Sequence, residues 1–225
     1  MLKKLLSLGA VLVSAALASC GGGGAGTISG SGGGAAAAAI ITVLASSPQL
    51  QSDQGGANTV AITAQVKDAS NAVLEGVTVQ FGASSGSLAV TQAVTDGSGI
   101  AYAQLSNGTN AQNRAITVTA TAGQASGSVV VNVVGTTITI TGPDALALND
   151  TGSYVAVAKD SKAAGIQGAV LTLTSANGNT ISAPVTTTNS SGNVPFNVTA
   201  TAAGADTLTV KIGRASCRER VCSVV

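Results

Sequence analysis

The pair Lys67-Asp68 returns as Lys159-Asp160, and this shift of 92 residues recurs along the chain. Gly76-Val77-Thr78-Val79-Gln80-Phe81 returns at the same shift as Gly168-Ala169-Val170-Leu171-Thr172-Leu173, Gly86 as Gly178, and Ile116-Thr117-Val118-Thr119 as Leu208-Thr209-Val210-Lys211. Thr95-Asp96-Gly97-Ser98-Gly99 returns one residue later than that, as Thr188-Asn189-Ser190-Ser191-Gly192. A period of this length belongs to a whole domain and is far longer than a solenoid repeat. The chain is therefore expected to fold as two copies of one module, at residues 40–135 and 136–211.

Within each copy the apolar residues alternate. Val60, Ile62, Ala64 and Val66 are separated by Ala61, Thr63 and Gln65; Ala101, Ala103 and Leu105 by Tyr102 and Gln104; Val194, Phe196 and Val198 by Pro195 and Asn197. Such period-two runs describe strands with one face buried. Between them lie Asp68-Ala69-Ser70-Asn71, Ser84-Ser85-Gly86 and Asp96-Gly97-Ser98-Gly99, residues that tolerate positive φ or cap a turn with their own side chains. Short strands broken by turns at this spacing predict an all-β chain of two antiparallel immunoglobulin-like sandwiches. No stretch between the turns carries a sustained helical period.

Charge and chemistry narrow the function. Charged residues make up 8% of the chain, and the formal charge is +1. Residues 20–211 carry five basic and eight acidic side chains, a balance of −3. They form no basic patch, so no nucleic-acid partner is expected. With no His, the Ser–His and Cys–His nucleophile pairs are excluded, and no catalytic residue is assigned. Lys67 and Lys159 occupy equivalent turns and read as solvated turn residues, not as catalytic bases or isopeptide donors. No cofactor is expected, nor a zinc site. The remaining metal candidates are weak: Asp96 with Asp68 or Asp53, as oxygen ligands for calcium at a module end. The competing reading, that Asp96-Gly97 is a hairpin turn, is the better one. Asn107-Gly108-Thr109 and Asn197-Val198-Thr199 have the form of glycosylation sites.

The N-terminus reads as an address. Met1-Leu2-Lys3-Lys4 is basic, and Leu5–Ala16 is an apolar run of secretion-signal length. Leu17-Ala18-Ser19-Cys20 resembles the bacterial lipobox. That resemblance implies cleavage of a leader at residues 1–19, lipidation of Cys20 and attachment to a membrane. Gly21, in place of an aspartate that would signal inner-membrane retention, points to the outer membrane. Residues 20–39 are mostly Gly, Ala and Ser and read as a flexible linker with an r.m.s. reach of about 23 Å.

The module pattern is similar to the bacterial immunoglobulin-like repeats of intimin and invasin adhesins. It is carried by Lys67-Asp68, Gly76-Val77-Thr78-Val79-Gln80-Phe81, Thr95-Asp96-Gly97-Ser98-Gly99, Ala101-Tyr102-Ala103-Gln104-Leu105 and Ile116-Thr117-Val118-Thr119-Ala120. The second copy matches more loosely, with Asn189 for Asp96 and Leu173 for Phe81. The resemblance implies a non-catalytic surface stalk or adhesin, displayed outside the cell and meeting a receptor on a host or neighbouring cell. The alternative is an accessory or ligand-binding module of a larger envelope protein, an enzyme included, whose functional domain lies further along.

The last residues break the pattern. Three arginines and two cysteines crowd into Arg214–Cys222, and Ile212–Val221 is what a common sequencing adapter encodes when translated. Residues 212–225 are accordingly expected to be a non-native tail. The second module would then lack the counterpart of Gly127–Val134, its final strand, and the neighbouring strand would be an unpaired edge.

Overall fold

The computed structural model describes residues 37–183 and 185–213 in full, and residues 215–224 as backbone. Cys20, its leader and most of the linker lie outside the described residues, so the anchor is not seen.

Every regular element among the described residues is a strand. The first eight are β1 (Ile40–Ala45), β2 (Gln49–Gln51), β3 (Thr59–Lys67), β4 (Gln80–Ala83), β5 (Ser87–Gln92), β6 (Ile100–Ser106), β7 (Arg114–Ala122) and β8 (Ala125–Val134). They form two four-stranded sheets, ordered β1-β3-β6-β5 and β2-β8-β7-β4. The chain changes sheets between β1, which runs antiparallel to β3, and β2, which runs parallel to β8. The alternation read from the sequence is the alternation of burial. Val60, Ile62, Ala64 and Val66 on β3 and Ala101, Ala103 and Leu105 on β6 are buried, and face Ile116, Val118, Val131 and Val133 in a single core. Fully burying a Val or Ile side chain contributes about 1.5–3 kcal/mol each.

The same plan is built again from β9 (Thr137–Thr141), β10 (Ala145–Leu146), β11 (Thr151–Lys159), β12 (Leu171–Ser175), β13 (Thr180–Ser182), β14 (Asn193–Thr199), β15 (Gly204–Ile212) and β16 (Ala215–Val224). The sheets are β9-β11-β14-β13 and β10-β16-β15-β12, the same order strand for strand. One core difference is instructive. Ile62 opposes Ala103 in the first module, whereas Tyr154 opposes Phe196 in the second, their rings stacked with centroids 5.5 Å apart. The larger pair needs space. Gly142, which occupies the strand position of Ala45, supplies it, because a Cβ there would collide with the Tyr154 ring.

The expected open edge is not there. β16, made of the residues read as a non-native tail, pairs antiparallel with β15 from Ile212↔Ala215 to Gly204↔Val224, with a register shift between Thr209 and Lys211. Its end also pairs parallel with β10, as β8 does with β2. The second sandwich therefore has its full strand count, not one fewer. The physical reason is that a ladder is made by backbone amides and carbonyls. A segment of sufficient length without proline, following a turn at Gly213, can make it whatever its side chains. Ile212 itself belongs to β15 and is buried in the second core.

Candidate functional site: the aspartate turns and the module junction

The three aspartates considered for calcium are not gathered. Asp68 follows β3 at one end of the first module, in the same end as Asp96, since Val66 N donates to Gly99 O. Asp53 lies at the opposite end, where its carbonyl accepts from Asn107 Nδ2 at 2.8 Å. Among the described residues no three His, Cys, Asp or Glu side chains cluster. Asp68 and Asp96 are occupied within their own turns. Asp68 Oδ1 accepts the amides of Ser70 and Ala72 at 2.8 and 2.9 Å. Asp96 Oδ1 accepts those of Ser98 and Ile100 at 2.8 and 3.1 Å, and its Oδ2 accepts from Tyr102 Oη at 3.2 Å. The Ile100 amide, with those of Ser98 and the Tyr102 hydroxyl, holds the Asp96 carboxyl below its ordinary pKa against the opposing effect of burial.

The second module shows why this is turn chemistry. Asn189, standing where Asp96 stands, accepts the amides of Ser191 and Asn193 through Oδ1 at 2.9 and 3.0 Å. A neutral amide oxygen does the same work, so the position requires an acceptor and not a charge. The neighbouring threonines explain the other half of the motif. Thr95 Oγ1 donates to Leu74 O and accepts from Val77 N, and Thr188 Oγ1 donates to Ile166 O and accepts from Ala169 N. Each buried hydroxyl thus pins the strand-entry loop to the turn. Lys67, half-buried, and Lys159, exposed, are the last residues of β3 and β11, so both end strands and the turns begin after them, at Asp68 and Asp160. Asn107 is fully buried with its amide nitrogen committed to backbone carbonyls, so it offers no glycan acceptor; Asn197 is exposed.

A further group of polar contacts lies where the modules meet. Only Gly135 and Thr136 separate β8 from β9. Thr136 is buried; its hydroxyl donates to Ala111 O at 2.6 Å and its amide to Asn113 Oδ1 at 2.9 Å. The second module's Asp160 turn reaches back onto the first module. Ser161 Oγ donates to Ser52 O at 2.6 Å, Ser161 N to Ser52 Oγ at 2.9 Å, and Gln54 N to Asp160 Oδ2 at 2.8 Å. Lys162 Nζ pairs with Asp53 Oδ2 at 2.7 Å. That ammonium, followed by the Gly55 amide, lowers the Asp53 pKa against the opposing effect of burial. Ala111, from the first module, is wholly buried within the second module's core. Beside it opens a polar cleft of about 210 Å³ lined by Thr109, Asn110, Gln112 and Gln167.

Sequence reading missed this junction, because its partners stand 109 residues apart and no local pattern links them. It also missed Asp206. This residue is buried on β15 and accepts from Ser175 Oγ, Asn177 N and Asn179 Nδ2 at 2.7, 2.9 and 2.8 Å. Burial alone would raise its pKa, but those hydrogen bonds outweigh it and hold the carboxyl below the ordinary value.

The family profile of the bacterial Ig-like domain (group 1) matches residues 45–134. Residues 45–134 are a bacterial Ig-like domain of group 1. The motifs at Lys67-Asp68 and Thr95-Asp96 are thereby turn caps of this Ig-like domain, and the family read from them is the family found. Among solved structures, the adhesin InvE of Yersinia pseudotuberculosis is similar at 17% identity over 86% of this chain and 61% of its own, with a TM-score of 0.57; that likeness is one of fold. Invasin, an integrin-binding bacterial protein, aligns at 20% identity over 82% of this chain and 39% of its own, with a TM-score of 0.40. A C-terminal intimin fragment, solved with the intimin-binding domain of its translocated receptor, aligns at 18% identity over 82% of this chain and 64% of its own, with a TM-score of 0.38. The chain thus spans about 61% of the InvE structure. A comparison with curated proteins gave no match.

Proposed function

We propose that this chain is a non-catalytic surface lipoprotein in which the Ig-like modules form a stalk that carries an adhesive or binding element away from the membrane. The observation that carries the reading is the end-to-end joining of two like sandwiches over a two-residue connection, Gly135-Thr136, with polar contacts on both sides of it. Such a joint transmits position along a chain, which is what a stalk does. The adhesin InvE has modules of this fold, and the proposal carries its adhesive role to this chain. The membrane end is assigned to Cys20, with the Gly-rich residues 20–39 as spacer. Multiple acyl chains on one residue anchor stably where a single chain binds only marginally. The outer membrane is the assigned site, and the partner is a receptor on a host or neighbouring cell.

The test is fractionation of cells expressing the chain or its Cys20→Ala variant, combined with protease treatment of intact cells. The wild-type chain is expected in the outer-membrane fraction and to be degraded from outside. Cys20→Ala is expected in soluble or secreted fractions. Equal partition of the two variants removes the anchor from the reading, and protease resistance on intact cells removes the surface assignment.

A further inference from the structure

The Asp160 turn and its counterpart at Asp68 have the same backbone job. In both, the aspartate Oδ1 accepts the amides two and four residues on, and the next-to-last residue takes positive φ, at Asn71 and Ala163. Turn formation therefore requires nothing further. Yet the second turn carries Ser161 and Lys162 where the first carries Ala69 and Ser70, and both extra side chains reach the first module, on Ser52 and Asp53. Asp160 spends its second oxygen the same way, on Gln54 N. The receiving segment is also particular to its module. Ser52 and Asp53 are buried, and the corresponding loop of the second module, between β10 and β11, reads Ala147-Leu148-Asn149-Asp150.

We propose that the Asp160–Ala163 turn is a key seated against Ser52–Gln54, and that it fixes the two modules into one rigid body in solution through a joint specific to this pair. The fit is close. Gly135 has φ +96°, and a Cβ on it would lie 2.8 Å from Ser161 Cβ and 3.0 Å from Gln51 Oε1. On the other side of the connection, Thr136 is tied to Ala111 and Asn113, and Ala111 is buried in the second core. The modules are thus held at two places flanking a two-residue connection, which leaves no free rotation about either bond pair. The Lys162 side chain is 54% exposed, so salt screens that ion pair. The neutral, buried contacts of Ser52 and Thr136 carry the joint, and rigidity should persist at high ionic strength.

The joint stands or falls independently of the anchor at Cys20. It is tested by ¹⁵N relaxation and residual dipolar couplings on the full chain, produced without export so that Cys20 stays unmodified. A single alignment and rotational diffusion tensor is expected to fit both modules, at low and at high salt. In Gly135→Ala the key is pushed out, and the modules are expected to need separate tensors while each keeps its dispersed amide spectrum. The triple variant Ser52→Ala, Ser161→Ala and Thr136→Val, which removes the hydroxyls that carry the joint, should show the same loss and covers the case in which Gly135→Ala does not fold. Separate tensors in the wild-type chain would overturn the proposal, as would a common tensor retained in the triple variant.

Discussion

At the residue scale, acceptors matter more than charges in the turns. Asp96 and Asn189 make the same pair of hydrogen bonds. Asp96→Asn is therefore expected to leave the melting temperature almost unchanged, and calcium should not raise it. A calcium-dependent rise that Asp96→Asn abolishes would restore the metal reading. Asn189→Ala, which removes the acceptor, should cost about 1 kcal/mol in urea unfolding. Ala163 sits at φ +63° where the first module has Asn71. A left-handed alanine costs about 1 kcal/mol, so Ala163→Asn should stabilise the chain by about that much. Asp206 differs from Asp96 in being buried, with Ser175 Oγ, Asn177 N and Asn179 Nδ2 donating to it. Its folded pKa is lowered. Its contribution is therefore complete above the unfolded value of about 3.9 and is lost as pH falls through the folded one. Asp206→Asn should cost about 2 kcal/mol at neutral pH and flatten the acid limb of the stability profile, read from urea midpoints across acidic pH.

At the element scale, the two modules show one strand plan holding two different cores. The exchange of Ile62–Ala103 for Tyr154–Phe196 is accommodated by Gly142. Gly142→Ala should destabilise by about 1–3 kcal/mol through overpacking, and Tyr154→Ile in the same chain should recover part of that loss; equal loss in single and double variants would mean the ring is not what fills the space. The last strand teaches a different lesson. β16 completes the sheet through backbone pairing with β15. Removing residues 214–225 should uncover the β15 edge, lower the unfolding temperature of the second module and promote aggregation, measurable by calorimetry and light scattering.

At the scale of the whole molecule, two sandwiches share one chain with a connection too short to be a linker. A free linker would let each module unfold alone. Contacts on both sides of Gly135-Thr136 couple them, since Ala111 of the first module completes the core of the second. Thermal unfolding of the wild-type chain is accordingly expected to be a single transition, and that of Gly135→Ala to separate into two. For a stalk, this coupling converts two modules into one longer lever.

The sequence by itself determined the module. A period-two apolar pattern selects strands, because side chains alternate across a sheet, and a 92-residue repeat makes whatever one copy folds into occur twice. The positions expected to face inward, from Val60 to Val66 and from Val194 to Val198, do so, and the motif residues cap turns, because those are local effects written in adjacent positions. Only the tertiary structure decided how the copies meet, which strand fills the last place in the second sheet, and why Asp206 matters. The joint pairs residues 109 positions apart, so it leaves no periodicity to read. The final strand is held by backbone groups that every residue but proline carries, so composition could not forecast it. The cost of burying Asp206 is offset by three donors brought together only once the sandwich has closed.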